Sequence, residues 1–125
     1  MRLMLDTHAF IWAVAGDRAL TAAARRLMTS AEAVYVSAVS IWEVAIKAPL
    51  GKIDADCVEL LAAVEASGFI ELPVRARHAS AVAELPALHQ DPFDRLLIAQ
   101  AQTEPLRLLS AGPLLLRYSE LVVPI

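Results

Sequence analysis

Short apolar runs alternate with segments of helical periodicity along the chain, and this alternation constrains the fold more than any other feature. Residues 3–5 and 106–109 are apolar at nearly every position, as in strands that are buried on both faces. Segments with apolar residues at helical spacing separate these runs. We therefore predict an α/β fold of three layers, with a mostly parallel central sheet of four to five strands and helices on both faces.

Local signals predict the individual elements. Strands are expected at 3–5, 33–36, 69–72, 106–109 and 121–123. Helices are expected from Thr7 to Ala15, after Thr21, up to Lys47, after Asp56, over 75–84, over 92–103 and briefly after Pro113. No repeat, low-complexity tract or linker interrupts this order, so residues 1–125 are expected to form a single domain.

Composition excludes several classes of protein. The 125 residues are 58% hydrophobic and 20% charged, with a mean hydropathy of +0.53, which excludes a disordered chain. The apolar stretches at 33–46 and 106–116 are short and contain charged residues or proline, so we expect no membrane span and a cytoplasmic location. The single cysteine, Cys57, excludes an intramolecular disulfide and a cysteine-based zinc cluster.

The charge balance is mildly acidic. Fourteen Asp and Glu residues against eleven Lys and Arg give a net charge of −3, which excludes a nucleic-acid binder that depends on a simple basic patch. An enzyme that approaches phosphate through a bound metal ion stays compatible with this balance. Arg75, Arg77, Arg95, Lys47 and Lys52 are candidates for a local basic rim, although an ordinary solvated surface position is the favoured explanation for each of them taken singly.

Three acidic residues are expected at one edge of the predicted sheet. Asp6 follows the first strand, and Glu43 and Asp94 lie in helices. Each has a structural explanation: Asp6 as a cap, Glu43 in a capping box with Ser40 or an i,i+4 pair with Lys47, and Asp94 in a helix start capped by Asp91.

Together the three acids indicate more than capping. Ligands of parallel sheets bind beyond the carboxyl ends of the strands, where all three side chains are expected. Carboxylates in one pocket repel each other unless a cation neutralises them, and Mg²⁺ prefers oxygen ligands. We therefore predict a site for Mg²⁺ or Mn²⁺.

Three segments resemble a known family. They are Leu3-Met4-Leu5-Asp6-Thr7-His8, the stretch from Val36 to Lys47 followed by Leu50-Gly51-Lys52, and the stretch from His89 to Ala101 with its Asp-Pro-Phe-Asp-Arg core. This pattern is similar to PIN-domain proteins, in particular VapC-type ribonuclease toxins of type II toxin–antitoxin systems.

The resemblance implies a PIN-like fold, a carboxylate pocket that binds Mg²⁺ or Mn²⁺, endonucleolytic cleavage of RNA, and inhibition by a VapB-type antitoxin. It also implies a homodimer or a toxin–antitoxin hetero-oligomer. By position, the catalytic and metal-binding residues are Asp6, Glu43 and Asp94, with Asp91 as a further candidate ligand and with Thr7, Ser37 and Ser110 as supporting residues.

One position departs from the family pattern. Where such proteins usually have a further aspartate after the fourth strand, this chain has Gly112, although Ser110 keeps a hydroxyl. The alternative function is therefore a PIN-like module with weakened or absent catalysis that binds antitoxin or RNA. A receiver domain of two-component signalling is disfavoured, because Lys47 and Lys52 are the only lysines and neither lies near the last strand.

Large apolar residues suggest a surface for a partner. Phe10, Ile11, Trp12, Ile41 and Trp42 exceed what a small core requires, and an amphipathic antitoxin helix uses such residues. Of the three histidines, only His8 is expected beside the acidic site.

Overall fold

A computed structural model describes all 125 residues of the chain, and a five-stranded sheet lies at its centre. The strands are β1 (Arg2–Leu5), β2 (Ala33–Ser37), β3 (Ile70–Leu72), β4 (Arg107–Ser110) and β5 (Val122–Pro124), in the order β3-β2-β1-β4-β5. Every neighbouring pair is parallel, for example Leu5 beside Val36 and Leu109. The predicted α/β fold with a parallel sheet is confirmed, and all five expected strands are present.

Six α-helices connect or cover the strands. They are α1 (Thr7–Ala15), α2 (Ala22–Ser30), α3 (Ala38–Lys47), α4 (Cys57–Ala66), α5 (Ala76–Ala81) and α6 (Pro92–Thr103). The predicted helix over 75–84 is α5 followed by a 3₁₀ turn at Val82–Glu84, and a second 3₁₀ turn follows Gly112 at Pro113–Arg117. No helix is both long enough and apolar enough to cross a membrane.

The N-caps of two helices lie at strand ends. Asp6 is the N-cap of α1, in line with its structural explanation, and its side chain accepts a hydrogen bond from the backbone N–H of Ala9. Ser37, not Ser40, is the N-cap of α3, and its hydroxyl accepts from the N–H of Val39. In both cases the cap is the polar residue at the strand end, because the strand leads directly into the helix without a loop.

The core lies on both faces of the sheet. Leu3 and Leu5 of β1 face a cluster that includes Phe10, whereas Met4 faces a second cluster that includes Leu97 of α6. Alternate residues of one strand point to opposite faces, so both faces of β1 are buried. Full burial of Phe10 contributes about 1.5–3 kcal/mol, which fixes α1 against the sheet.

The strand order reverses between β1 and β4. From β1 the chain moves outward through β2 to β3, and it then returns to the other side of β1 with β4 and β5. A crevice therefore forms beyond the carboxyl ends of β1 and β4, which is the usual ligand position in open parallel sheets.

Candidate active site

Asp6 lies at this reversal point, and its carboxylate links the start of α1 to the segment that follows β4. Its Oδ1 accepts from the N–H of Ala9 at 2.8 Å, and its Oδ2 accepts from the N–H of Ala111, just beyond β4, at 3.0 Å. Burial raises the pKa of Asp6, although hydrogen bonds from Ala9, Ser110 and Ala111 act against the shift. The carboxylate is therefore held rigidly in a position where its charge is poorly solvated.

Glu43 is buried in α3 and has a partner at each oxygen. The hydroxyl of Thr7 donates to Oε1 at 2.6 Å, and Lys47 Nζ donates to Oε2 at 2.5 Å. The i,i+4 pair with Lys47, which was one structural explanation of Glu43, is therefore present. The capping box with Ser40 is wrong, because α3 begins at Ala38 and Ser40 falls inside its first turn.

Asp91 and Asp94 occupy the start of α6. Asp91 is the N-cap, as predicted, and its Oδ1 accepts from the N–H of Asp94 at 2.9 Å. Asp94 Oδ2 lies 2.8 Å from Nε2 of His89. The pKa of Asp94 is raised by burial, against the hydrogen bond with His89, and the charges of Asp91, Glu43 and Asp6 raise it further. The four carboxylates are therefore close enough to influence one another.

A cavity of about 340 Å³ opens between the two aspartates of the crevice. Asp6, Asp94 and Gly112 line it, and His8, Trp12, Ala111 and Leu115 complete its wall. Glu43 does not line it and is connected to Asp6 through the adjacent Thr7. A larger cavity of about 590 Å³ lies at the amino ends of β2 and β3 and contains none of the predicted site residues, so the smaller cavity is the candidate site.

The carboxylates have the right chemistry for a hard divalent cation, but they do not form a preformed cage. Four carboxylates at one edge supply only oxygen donors, which Mg²⁺ and Mn²⁺ prefer. No three His, Cys, Asp or Glu side chains of the chain are grouped closely enough to hold a metal ion. Glu43 is engaged by Thr7 and Lys47, and Asp94 by His89, so metal binding requires these side chains to exchange partners.

The supporting residues fix the elements that carry the acids. The Ser37 hydroxyl donates to Gln100 Oε1 at 2.5 Å and thereby joins the start of α3 to α6. Ser110 Oγ accepts from the N–H of Gly112 at 3.0 Å, which shapes the segment beneath the cavity. The hydroxyls of Thr7 and Ser40 lie 3.1 Å apart. Sequence reasoning missed Gln100, whose only signal is a polar residue on the buried face of an apolar helix.

His89 is a second residue that sequence reasoning missed, since only His8 was expected beside the acids. The segment before α6 folds back so that His89 contacts Asp94. Arg95 holds this fold: its guanidinium donates to the carbonyls of Val82, Pro86 and His89 at 3.0–3.3 Å. The Arg95 side chain is therefore bound to backbone carbonyls of the segment before α6, and it is not part of a free basic rim.

The other predicted rim residues are also engaged in part. Arg77 pairs with Glu104 at 2.6 Å, and His78 binds the same carboxylate. The hydrogen bond with His78 and the charge of Arg77 lower the pKa of Glu104. Lys47 pairs with Glu43. Among the predicted rim residues other than Arg95, only Lys52 and Arg75 therefore have no ion pair. The basic rim that the sequence suggested is not assembled as a free surface.

The fold and the site together define a class: α/β proteins with a cluster of carboxylates at the strand-order reversal of a parallel sheet. The PIN domain family model matches residues 3–121, so the chain belongs to the PIN domain family. This match confirms the family resemblance that the three sequence segments indicated.

Solved structures with this fold include three from toxin–antitoxin systems. VapBC2 from Rickettsia felis bound to a DNA fragment from its promoter has a TM-score of 0.70 at 15% identity, covering 100% of this chain and 98% of that chain. DNA-bound VapBC from Salmonella typhimurium has a TM-score of 0.68 at 17% identity, with 100% and 97% covered. Mycobacterium tuberculosis VapC20, described as a Sarcin-Ricin loop cleaving toxin, has a TM-score of 0.61 at 15% identity, with 94% and 97% covered. No curated protein matches the chain.

Proposed function

We propose that this protein is a metal-dependent endoribonuclease toxin of the VapC type, which hydrolyses RNA phosphodiester bonds and is inhibited by a VapB-type antitoxin. The observation that carries the proposal is the set of four carboxylates, Asp6, Glu43, Asp91 and Asp94, that lie at the strand-order reversal of a PIN domain and of which three influence the ionisation of Asp94. The description of VapC20 as a Sarcin-Ricin loop cleaving toxin supports the activity, and that of a Klebsiella pneumoniae protein with this fold as a toxin–antitoxin complex supports the antitoxin partner.

In this proposal Asp6, Glu43 and Asp94 hold Mg²⁺ or Mn²⁺, with Asp91 as an additional ligand. The ion would neutralise charge on the scissile phosphate and lower the pKa of a bound water. The protein supplies orientation: the N–H groups of Ala9 and Ala111 fix the Asp6 carboxylate, and the Thr7 hydroxyl fixes one oxygen of Glu43. One carboxylate of the set accepts the proton that the attacking water loses.

An exposed apolar stripe on α3 supports the proposed antitoxin partner. Trp42 and Ile46 are 54% and 40% exposed and lie four residues apart on one face of α3, and Leu50, which is 64% exposed, follows in the turn after the helix. An amphipathic helix that places its apolar face on such a stripe is a recurring form of peptide recognition. Of the five residues that the sequence suggested for a partner, Phe10 is fully buried and belongs to the core, whereas Trp42 is available to a partner.

A second function stays open because of Gly112. This residue lines the cavity with no side chain at the position where a further aspartate is expected, and the remaining acids are not grouped as a metal cage. A PIN-like module that binds antitoxin or RNA with little or no turnover is the alternative that these observations favour.

RNA cleavage with defined metal content tests the proposal. We expect cleavage in Mg²⁺ or Mn²⁺, its loss in EDTA, and a decrease of at least about tenfold in Asp6→Asn, since a ligand charge is removed. Asp54→Asn removes the same charge at an exposed position and is the matched control. Cleavage that survives both EDTA and Asp6→Asn contradicts the proposed mechanism. Metal binding without cleavage favours the binding-only alternative.

A further inference from the structure

Lys47 places a positive charge between two of the four carboxylates. Its Nζ lies 2.5 Å from Glu43 Oε2 and 3.6 Å from Asp91 Oδ2, and it sits 5.0 Å from the centre of the Phe93 ring. Glu43 comes from α3, whereas Asp91 and Phe93 come from the start of α6. The ammonium group therefore bridges the two helices that carry Glu43 and Asp94.

No other Lys or Arg performs this role. Among the ion pairs of the structure, Lys47 is the only lysine or arginine that contacts any of Asp6, Glu43, Asp91 and Asp94. The remaining contact to this set is the His89 imidazole on Asp94. Lys47 is thus the cationic side chain that balances part of the negative charge of the acidic cluster in this structure.

The Lys47 side chain is also able to move away from Glu43 and Asp91. It is 24% exposed, and its four-carbon stem is flexible. Its partner Glu43 is almost completely buried and is held from the other side by Thr7. A buried carboxylate that loses its countercharge must either take up a proton or pair with another cation, so a divalent cation at this site can take the place of Lys47.

We propose that Lys47 is a tethered competitor of the divalent cation: it neutralises Glu43 and Asp91 in the metal-free protein, and it is displaced when the metal binds. This inference rests on the proposed metal-dependent function. It follows that Lys47 weakens metal affinity while it stabilises the metal-free fold. Together with the contacts of Thr7 on Glu43 and of His89 on Asp94, Lys47 then keeps the acids apart from one another as potential metal ligands.

The test is a titration of the purified full chain with Mn²⁺ by calorimetry, at fixed pH and ionic strength. In Lys47→Met we expect Mn²⁺ to bind about tenfold tighter or more, since one positive charge near the ion is removed. Lys47→Arg keeps the charge and should stay within about threefold of the original protein. Lys52→Met makes the same substitution at an exposed lysine with no ion pair and should leave the affinity unchanged.

Thermal unfolding gives an independent readout. Without metal, Lys47→Met should melt at a lower temperature than the original protein, because Glu43 loses its cation. Saturating Mn²⁺ should raise its melting temperature by more than it raises that of the original protein. If Lys47→Met does not fold without metal, Lys47→Gln, which keeps a hydrogen-bond donor without the charge, is measured in the same way and with the same expectation.

The outcomes separate the two proposals. Equal or weaker Mn²⁺ binding in Lys47→Met and Lys47→Gln, with clear binding to the original protein, overturns the role of Lys47 and leaves the metal site intact. Absence of Mn²⁺ binding in every variant overturns the metal site and the inference with it. Binding that is detected only after Lys47 is replaced supports the inference in its strongest form.

Discussion

Gln100 provides a sharp test of how the two helices of the acidic site are held together. Its side chain is completely buried in α6. Oε1 accepts from the Ser37 hydroxyl at 2.5 Å, and Nε2 donates to the carbonyl of Pro73 at 3.2 Å. We consider the substitution Gln100→Leu, which keeps nearly the same volume and removes both contacts.

The expected cost follows from the groups left behind. The buried Ser37 hydroxyl loses its acceptor, and a buried polar group without a partner costs about 1–3 kcal/mol. Pro73 is exposed, so its carbonyl can bind water once Nε2 of Gln100 is gone. We expect the free energy of unfolding to fall by about 1–3 kcal/mol, a substantial share of the roughly 5–15 kcal/mol that stabilises a typical domain.

Equilibrium unfolding in urea, followed by circular dichroism, measures this loss, and the midpoint should fall by about 0.5–1.5 M. Gln102→Leu is the matched control, because Gln102 is exposed on the same helix, and it should change stability by less than about 0.5 kcal/mol. The double variant Ser37→Ala with Gln100→Leu should cost less than the sum of the single variants. A loss below about 1 kcal/mol for Gln100→Leu would refute the reasoning.

Two further predictions concern Asp94 and Gly112, the position where a further aspartate is expected. The folded-state pKa of Asp94 is raised, so its contribution to stability is fully present below the usual value of 3.8 and is lost as the pH rises through the raised value. Urea unfolding between pH 4 and 8 should therefore show the original protein losing stability relative to Asp94→Asn as the pH increases, and a constant difference contradicts the shift. Gly112→Asp should fold with a small loss of stability, because its Cβ meets Leu115 Cγ at 3.3 Å and the backbone φ is negative. This variant should bind Mn²⁺ more tightly and cleave RNA faster, as checked by titration and cleavage assays, and unchanged metal affinity would remove Gly112 as the cause of any weak activity.

The strands were predictable because burial on both faces leaves a direct mark on the sequence, whereas their order in the sheet comes from the structure alone. The run Leu3-Met4-Leu5 predicts a strand, because a strand that is buried on both faces is apolar at successive positions. Asp6 predicts the end of this strand, because a charged residue interrupts the apolar run. The topology then places the residue after each strand at one edge. For this reason the positions of Asp6, Ser37 and Ser110 at the carboxyl ends of β1, β2 and β4 follow from the chain alone.

The partners of the site residues were less predictable, because they depend on where side chains from separate segments meet. Ser40 and Lys47 both lie at plausible spacing from Glu43, and only the start of α3 at Ala38 decides between them. The contact of His89 with Asp94 depends on Arg95 binding several backbone carbonyls at once, which no local pattern encodes. Arg95 was grouped with surface cations because an arginine that ties down a loop has the same sequence signature as an exposed one.

The location of the negative charge changes what the net charge means for an RNA substrate. Removing Asp6, Glu43, Asp91 and Asp94 from the fourteen acids leaves ten, and removing Lys47 from the eleven bases also leaves ten. The formal charge of −3 therefore resides entirely in the acidic cluster and its lysine, and the rest of the molecule is balanced. A divalent cation in the cluster would cancel most of that excess, so the surface that approaches phosphate would be close to neutral when the proposed metal is bound. The acidic balance of the chain is thus an argument for a cation at this site and not an argument against RNA.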